Sequence, residues 1–125
     1  MGNNKRIIIV EDDAVLRDVL AQKLEKSGYI VDRAEDGIIA MEKIRAVRPD
    51  CILLDILMPR KGGIEVLEDL HNDPELSKIP VIIISNSGQP VELSRAIRFG
   101  VKDWLIKTQF EPQELIDKVV RQIGR

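Results

Sequence analysis

Five times along this chain a short apolar run ends at polar residues, and a longer amphipathic stretch follows. The runs are Ile7–Val10, Tyr29–Val31, Cys51–Leu54, Val81–Ile84 and the mixed segment Lys102–Ile106. Unbroken apolar runs of this length suit strands buried on both faces. Strands separated by helix-length segments argue for a parallel sheet with crossover helices on both faces. The expected fold class is therefore α/β: a (βα)5 doubly wound parallel sheet in three layers, forming one domain over residues 1–125.

The connecting stretches carry helical periodicity. Leu16, Val19, Leu20 and Leu24 predict the inward stripe of a first helix, stopped at Gly28. Ile39, Ala40, Met41, Ile44 and Val47 form the face of a second, ended by Pro49. Ile64, Leu67 and Leu70 suit a short third helix closed by the turn Asn72-Asp73-Pro74. Pro90 begins a fourth, with Leu93, Ala96 and Ile97 inward and Gly100 as its stop. Pro112 begins the last, whose Leu115, Ile116, Val119, Val120 and Ile123 make a broad apolar face. The second run is shorter and more polar, as an edge strand would be. The last helix runs almost to Arg125, so no output domain is expected within the chain.

A net charge of −2 offers no basic stripe for direct nucleic-acid binding. The single cysteine, Cys51, lies within an apolar run and reads as a small buried hydrophobe. The polar N-terminus is no secretory signal, and no run is long enough to span a membrane. Cytoplasmic localisation without membrane insertion is the expectation.

The chemistry gathers at the carboxyl ends of the runs, where open parallel sheets bind ligands. The first run ends at Glu11-Asp12-Asp13, the third at Asp55, the fourth at Ser85 and the fifth at Lys107. If these strands are neighbours, several carboxylates crowd one crevice and a cation relieves their repulsion. Oxygen ligands without His or Cys favour Mg²⁺ over zinc. A lysine ammonium and a serine hydroxyl beside a metal-bound carboxylate suit a phosphoryl group. Asp55 is the candidate acceptor, because an aspartate can act as a covalent nucleophile in phosphoryl transfer. Asp13 is read as a cap on the first helix rather than a metal contact.

Val10-Glu11-Asp12, Leu54-Asp55-Ile56-Leu57-Met58-Pro59 with Gly63, Pro80-Val81 through Ser85, and Lys107 together resemble a response-regulator receiver domain of two-component signalling, single-domain chemotaxis type. The resemblance spans the chain and implies a flavodoxin-like sheet of order 2-1-3-4-5. By position it implies Asp55 as phosphoacceptor. Glu11 and Asp12 fall on the acidic pair, with Asp12 the direct Mg²⁺ ligand, joined by Asp55 and the backbone carbonyl of Leu57. Mn²⁺ is a substitute metal. Ser85 matches the hydroxyl residue that follows the phosphoryl group, Lys107 the characteristic lysine, and Trp104 the aromatic switch position. The implied function is a phosphorylation-dependent switch, not an enzyme, that promotes its own Mg²⁺-dependent phosphorylation and dephosphorylation. The implied donor is a histidine kinase or a histidine phosphotransfer protein. The surface of the fourth helix, fifth strand and fifth helix would change for a protein partner, the chain being a monomer or weak dimer.

Some positions depart from the family pattern. Thr108 stands where proline usually follows the lysine, Asn86 where a small residue is usual, and Gly62 where Asp or Asn is frequent, which should loosen that loop. Leu57 and Ser87 flank the site without a water-orienting acid or amide, so slow loss of phosphate is expected. His71 reads as a surface residue without partners. Arg95, Arg98 and Lys102 read as a solvated face beside the output surface. An unphosphorylated adaptor of the same fold would not need the acidic pair, Ser85 and Lys107. A phosphatase of the Asp-x-Asp type would need an acid where Leu57 stands. Flavin binding would need a phosphate-cradling loop where Glu11-Asp12-Asp13 stand.

Overall fold

The structure, a computed structural model, describes residues 5–85, 90–101, 103–107 and 110–124, with side chains left aside at 90–93. Five strands alternate with five helices: β1 Arg6–Val10, α1 Ala14–Lys26, β2 Ile30–Ala34, α2 Gly37–Val47, β3 Cys51–Asp55, α3 Gly63–His71, β4 Val81–Ser85, α4 Pro90–Arg98, β5 Asp103–Ile106 and α5 Pro112–Ile123. All strand pairs are parallel, and their order is 2-1-3-4-5, as the resemblance implied.

The apolar runs become strands because both sheet faces are covered. On one face Ile8, Val10, Ile52, Leu54, Val81 and Ile83 pack with Ala40, Met41 and Ile44 of α2, Ile64, Val66 and Leu67 of α3, and Ala96 of α4. On the other, Ile7, Ile9, Cys51, Leu53, Ile82, Ile84 and Leu105 pack with Leu20, Ala21 and Leu24 of α1 and Leu115, Ile116 and Val119 of α5. A fully buried side chain of this kind contributes ~1.5–3 kcal/mol. The three inner strands therefore supply most of the anchor for the residues at their tips. Cys51 is buried, and burial pushes its thiol up to about 12, so it is inert packing.

Several expectations need correction. In α1, Val19 is 56% exposed, and Ala21 faces inward with Leu20 and Leu24. The inward stripe follows the four-residue ridge, which leaves Val19 on its flank. Ile97 and Val47, read as inward, are exposed. β2 grows out of the run Tyr29–Val31 as expected, except that Tyr29 lies just before it, and it continues to Ala34, paired along β1. Pairing to β1 overrides the polar Asp32 and Arg33, whose side chains form ion pairs with Arg6 and with Asp18 and Glu25. Leu76–Lys78 forms a 3₁₀ turn that the sequence reading passed over. Its Leu76 is buried, and Asp73 caps it through the N–H groups of Glu75 and Leu76. His71 is exposed but not without a partner: its ring meets Phe99 edge-on at 5.6 Å.

Candidate functional site

Strand register sets the level of each functional side chain. Val10 lies opposite Leu54, and Leu54 opposite Ile83. Glu11 and Asp55, one residue further on, thus emerge together at the carboxyl end of the sheet. Ser85 pairs with Ile106, and the N–H of Lys107 donates to the Ser85 carbonyl at 2.8 Å. That bond holds the root of the Lys107 side chain at the same end.

Glu11, Asp12 and Asp55 each place a carboxylate oxygen within 4.8 Å of the others. Glu11 and Asp55 are buried, whereas Asp12 is exposed at the mouth. The Lys107 ammonium reaches across the end of β4 to both buried carboxylates. It lies 3.1 Å from Glu11 Oε1, 3.2 Å from Glu11 Oε2 and 3.2 Å from Asp55 Oδ2. Ser85, the last residue of β4, is also buried. Asp13 is the N-cap of α1, accepting from the N–H groups of Val15 and Leu16 at 3.0 and 3.1 Å.

The electrostatics follow from the burial. Asp55 is pushed up to about 7, first by loss of water and then by the charge of Glu11, with Lys107 opposing. Burial likewise raises Glu11, against the Asp13 N–H and Lys107. At Asp12 desolvation works upward, but hydrogen bonds with Glu11 and Asp55 outweigh it and hold the carboxyl low. Lys107 loses water too, yet Glu11 and Asp55 hold its ammonium above the ordinary range.

This donor set fits a divalent cation of the Mg²⁺ type. The ligand atoms are oxygens, and three carboxylates face one ammonium. Glu11 Oε1 is buried beside Lys107 but lacks a hydrogen bond of proper geometry, so a buried acceptor is left for another positive partner.

Leu57, whose backbone carbonyl is the remaining candidate ligand, lies just beyond β3 with its side chain 53% exposed. Its loop is tightly built. Gly63 N–H donates to the Ile56 carbonyl at 2.8 Å, and a Cβ at Gly63 would lie 2.3 Å from the Asp55 carbonyl oxygen. Only glycine lets α3 start this close to the strand bearing Asp55. Gly62 offers no cap to α3, and Glu65 reaches back to its N–H at 3.3 Å instead.

Trp104 stands on β5, half-exposed and in register with Ile83. Arg95 and Arg98 are exposed on α4. The expectations placed on Asn86, Ser87, Lys102 and Thr108 lie outside the described residues. Sequence reasoning missed Asp36 and Arg60. Asp36 stands just ahead of a periodic apolar stretch, which is a helix-start signal that could have found it. The Arg60 partner of Asp36 has no local signature, being 24 residues away.

Comparison with known proteins identifies the family and the fold. The family model described as "Response regulator receiver domain" matches residues 7–120. Response regulator MprA of Mycobacterium ulcerans is 33% identical over 114 residues, 91% of this chain and 48% of that protein. The chain thus spans about half the length of such curated relatives. Among solved structures, a response regulator receiver domain protein (CheY-like) from Methanospirillum hungatei matches with a TM-score of 0.89 and 26% identity, covering 97% of this chain and 94% of that one. Chemotaxis protein CheY4 of Vibrio cholerae matches with a TM-score of 0.88 and 25% identity, over 96% and 99% of the two chains.

Proposed function

Because this chain belongs to the response-regulator receiver domain family, we propose that it is a phosphorylation switch of a two-component or phosphorelay pathway whose phosphoryl group is carried by Asp55. The observation that carries this reading is the gathering of Glu11, Asp12 and Asp55 within 4.8 Å, with Lys107 bridging the two buried carboxylates. In this reading residues 1–125 make up one receiver domain, working at the surface of a protein partner and not on DNA.

The donor is a phosphohistidine on a histidine kinase or a histidine phosphotransfer protein. The P–N bond to the imidazole breaks as a P–O bond to an Asp55 carboxylate oxygen forms, and the imidazole nitrogen keeps the electron pair and takes up a proton. Asp12, Asp55 and the Leu57 carbonyl would hold Mg²⁺ (or Mn²⁺), with Glu11 behind them. The bound metal supplies positive charge toward the transferring phosphoryl oxygens. Lys107 is already held at the Glu11 and Asp55 carboxylates, from which it would turn to a phosphoryl oxygen. The Ser85 hydroxyl donates a hydrogen bond to the same group.

The added charge and acceptor oxygens are the signal. As Ser85 and Lys107 turn to the phosphoryl group, Trp104 swings inward from its half-exposed place on β5. The surface made by α4, β5 and α5 then changes for a downstream protein. The chain is not an enzyme acting on separate substrates, but its residues promote their own phosphorylation and dephosphorylation.

A labelled acyl phosphate with Mg²⁺ tests the assignment. The wild-type chain takes up label and Asp55→Asn takes up none; a labelled Asp55→Asn chain would sink the acceptor assignment.

A further inference from the structure

The loop between β3 and α3 would carry the Leu57 carbonyl, the one main-chain group among the candidate metal ligands. Its neighbours beyond β3 are therefore of special interest. Arg60 has a left-handed backbone, φ 63°, which a long side chain seldom adopts without compensation. The compensation is a buried carboxylate: Asp36, 1% exposed, accepts from Arg60 Nε at 2.7 Å and forms an ion pair with the guanidinium.

The two oxygens of Asp36 have separate duties. Oδ1 accepts from the N–H groups of Ile38 and Ile39 at 2.8 and 2.9 Å, capping α2. Among the described residues, Oδ2 takes only the Arg60 guanidinium. Next to it, the Gly37 N–H donates to the Lys61 carbonyl at 2.9 Å. A Cβ at Gly37 would sit 2.5 Å from that oxygen, so α2 touches the loop backbone directly. Lys61 is in turn ion-paired to Asp69 of α3. The Arg60 end of this assembly and Asp12 line one hollow of about 570 Å³, together with Leu57 and Met58.

We propose that Asp36 and Arg60 are positioning residues for metal binding: their bond fixes the loop that presents the Leu57 carbonyl, tying the metal site to the N-terminus of α2. The inference rests on the receiver-domain reading of the site above. It gives the cap of α2 a second duty, toward a helix that supplies no ligand itself. Partners that orient ligands in this way typically change metal affinity by ~10–100-fold when removed.

The test is the sign and size of the Mg²⁺ response in the full chain. Arg60→Gly keeps a residue at ease with positive φ and removes the guanidinium. Asp36→Asn keeps the capping oxygen and replaces the one that holds Arg60. Mg²⁺ affinity by calorimetry should fall about tenfold in each variant. Arg60→Lys, which retains the charge without the fork, should recover part of it. Amide hydrogen exchange over residues 56–62 of the metal-free chain should quicken in the two disrupted variants.

Charge alone predicts the opposite for Arg60→Gly, since loss of a nearby cation tightens binding of a divalent metal. Unchanged or tighter Mg²⁺ binding in that variant would overturn the proposal. Faster exchange with unchanged affinity overturns it as well, making the pair a structural cap and nothing more. If the wild-type chain binds no Mg²⁺ and Asp55 takes no label, the switch reading falls and takes this inference with it. If the wild type does both and the variants match it, only the positioning role falls.

Discussion

The Asp55 carboxyl and its neighbours have consequences that reach beyond the proposed phosphorylation. Asp55 is raised from 3.8 to about 7 by burial and then by the charge of Glu11. A folded-state value above the unfolded one means that folding binds a proton. The resulting stability is full below pH ~4 and is lost as the pH rises through about 7. With chelator present, urea melts should show wild-type stability falling between pH 5 and pH 8. Asp55→Asn should fall less and be the more stable of the two at pH 8. At the next exposed position, Leu57 offers neither acid nor amide to orient an attacking water, so the phosphorylated chain should lose label slowly. Leu57→Asn should lose it severalfold faster in a chase of labelled protein, and equal rates would reject this account. At this scale Glu11, Asp12, Asp55, Ser85 and Lys107 were legible because each interrupts or ends an apolar run. The hydrogen-bond poverty of Glu11 Oε1 and the contact of Gly63 with the Asp55 carbonyl were not, since both depend on packing between distant segments.

At the scale of the element, the N-termini of the helices do much of the positioning. Asp13 caps α1 and also donates its N–H to Glu11 Oε2 at 3.1 Å, joining the helix start to the buried acid. Loss of such a cap costs ~0.5–2 kcal/mol. Asp13→Ala should therefore lower the urea midpoint accordingly while leaving Mg²⁺ affinity within about twofold, because Asp13 is a cap and not a ligand. A tenfold loss of affinity would place it among the ligands instead. Helix existence was easy to read, for the stripes Leu16-Leu20-Leu24 and Leu115-Val119 repeat at a regular spacing. Stripe edges were not: Val19, Val47 and Ile97 satisfy the same periodicity yet are exposed. Apolar spacing locates a face but not its width, which depends on how far the sheet extends beneath the helix. The 3₁₀ turn Leu76–Lys78 was missed for a related reason: one buried leucine makes no period.

For the whole molecule, the strand order brings β1 and β3 side by side at the centre and leaves β5 at an edge. Carboxylates on the two central strands are buried together with one ammonium to balance them, so the fold carries an electrostatic cost that a cation removes. Mg²⁺ should raise the stability of the chain by ~2.7 kcal/mol at a hundredfold excess over its dissociation constant. Thermal melts with Mg²⁺ and with chelator should differ accordingly, and Asp12→Ala should shrink that difference. Fold class and strand order were legible from the alternation of runs and from the family resemblance, because burial of both sheet faces leaves few alternatives. Lys107 bridges residues 52 and 96 positions earlier in the chain. No half of the protein, then, holds the charge balance by itself. A chain still under synthesis, or cut between β3 and Lys107, carries Glu11 and Asp55 but lacks the ammonium that makes their burial tolerable. Such a fragment presents two uncompensated acids at its strand ends, and the charge balance of the fold is reached only once β5 has brought Lys107 to them.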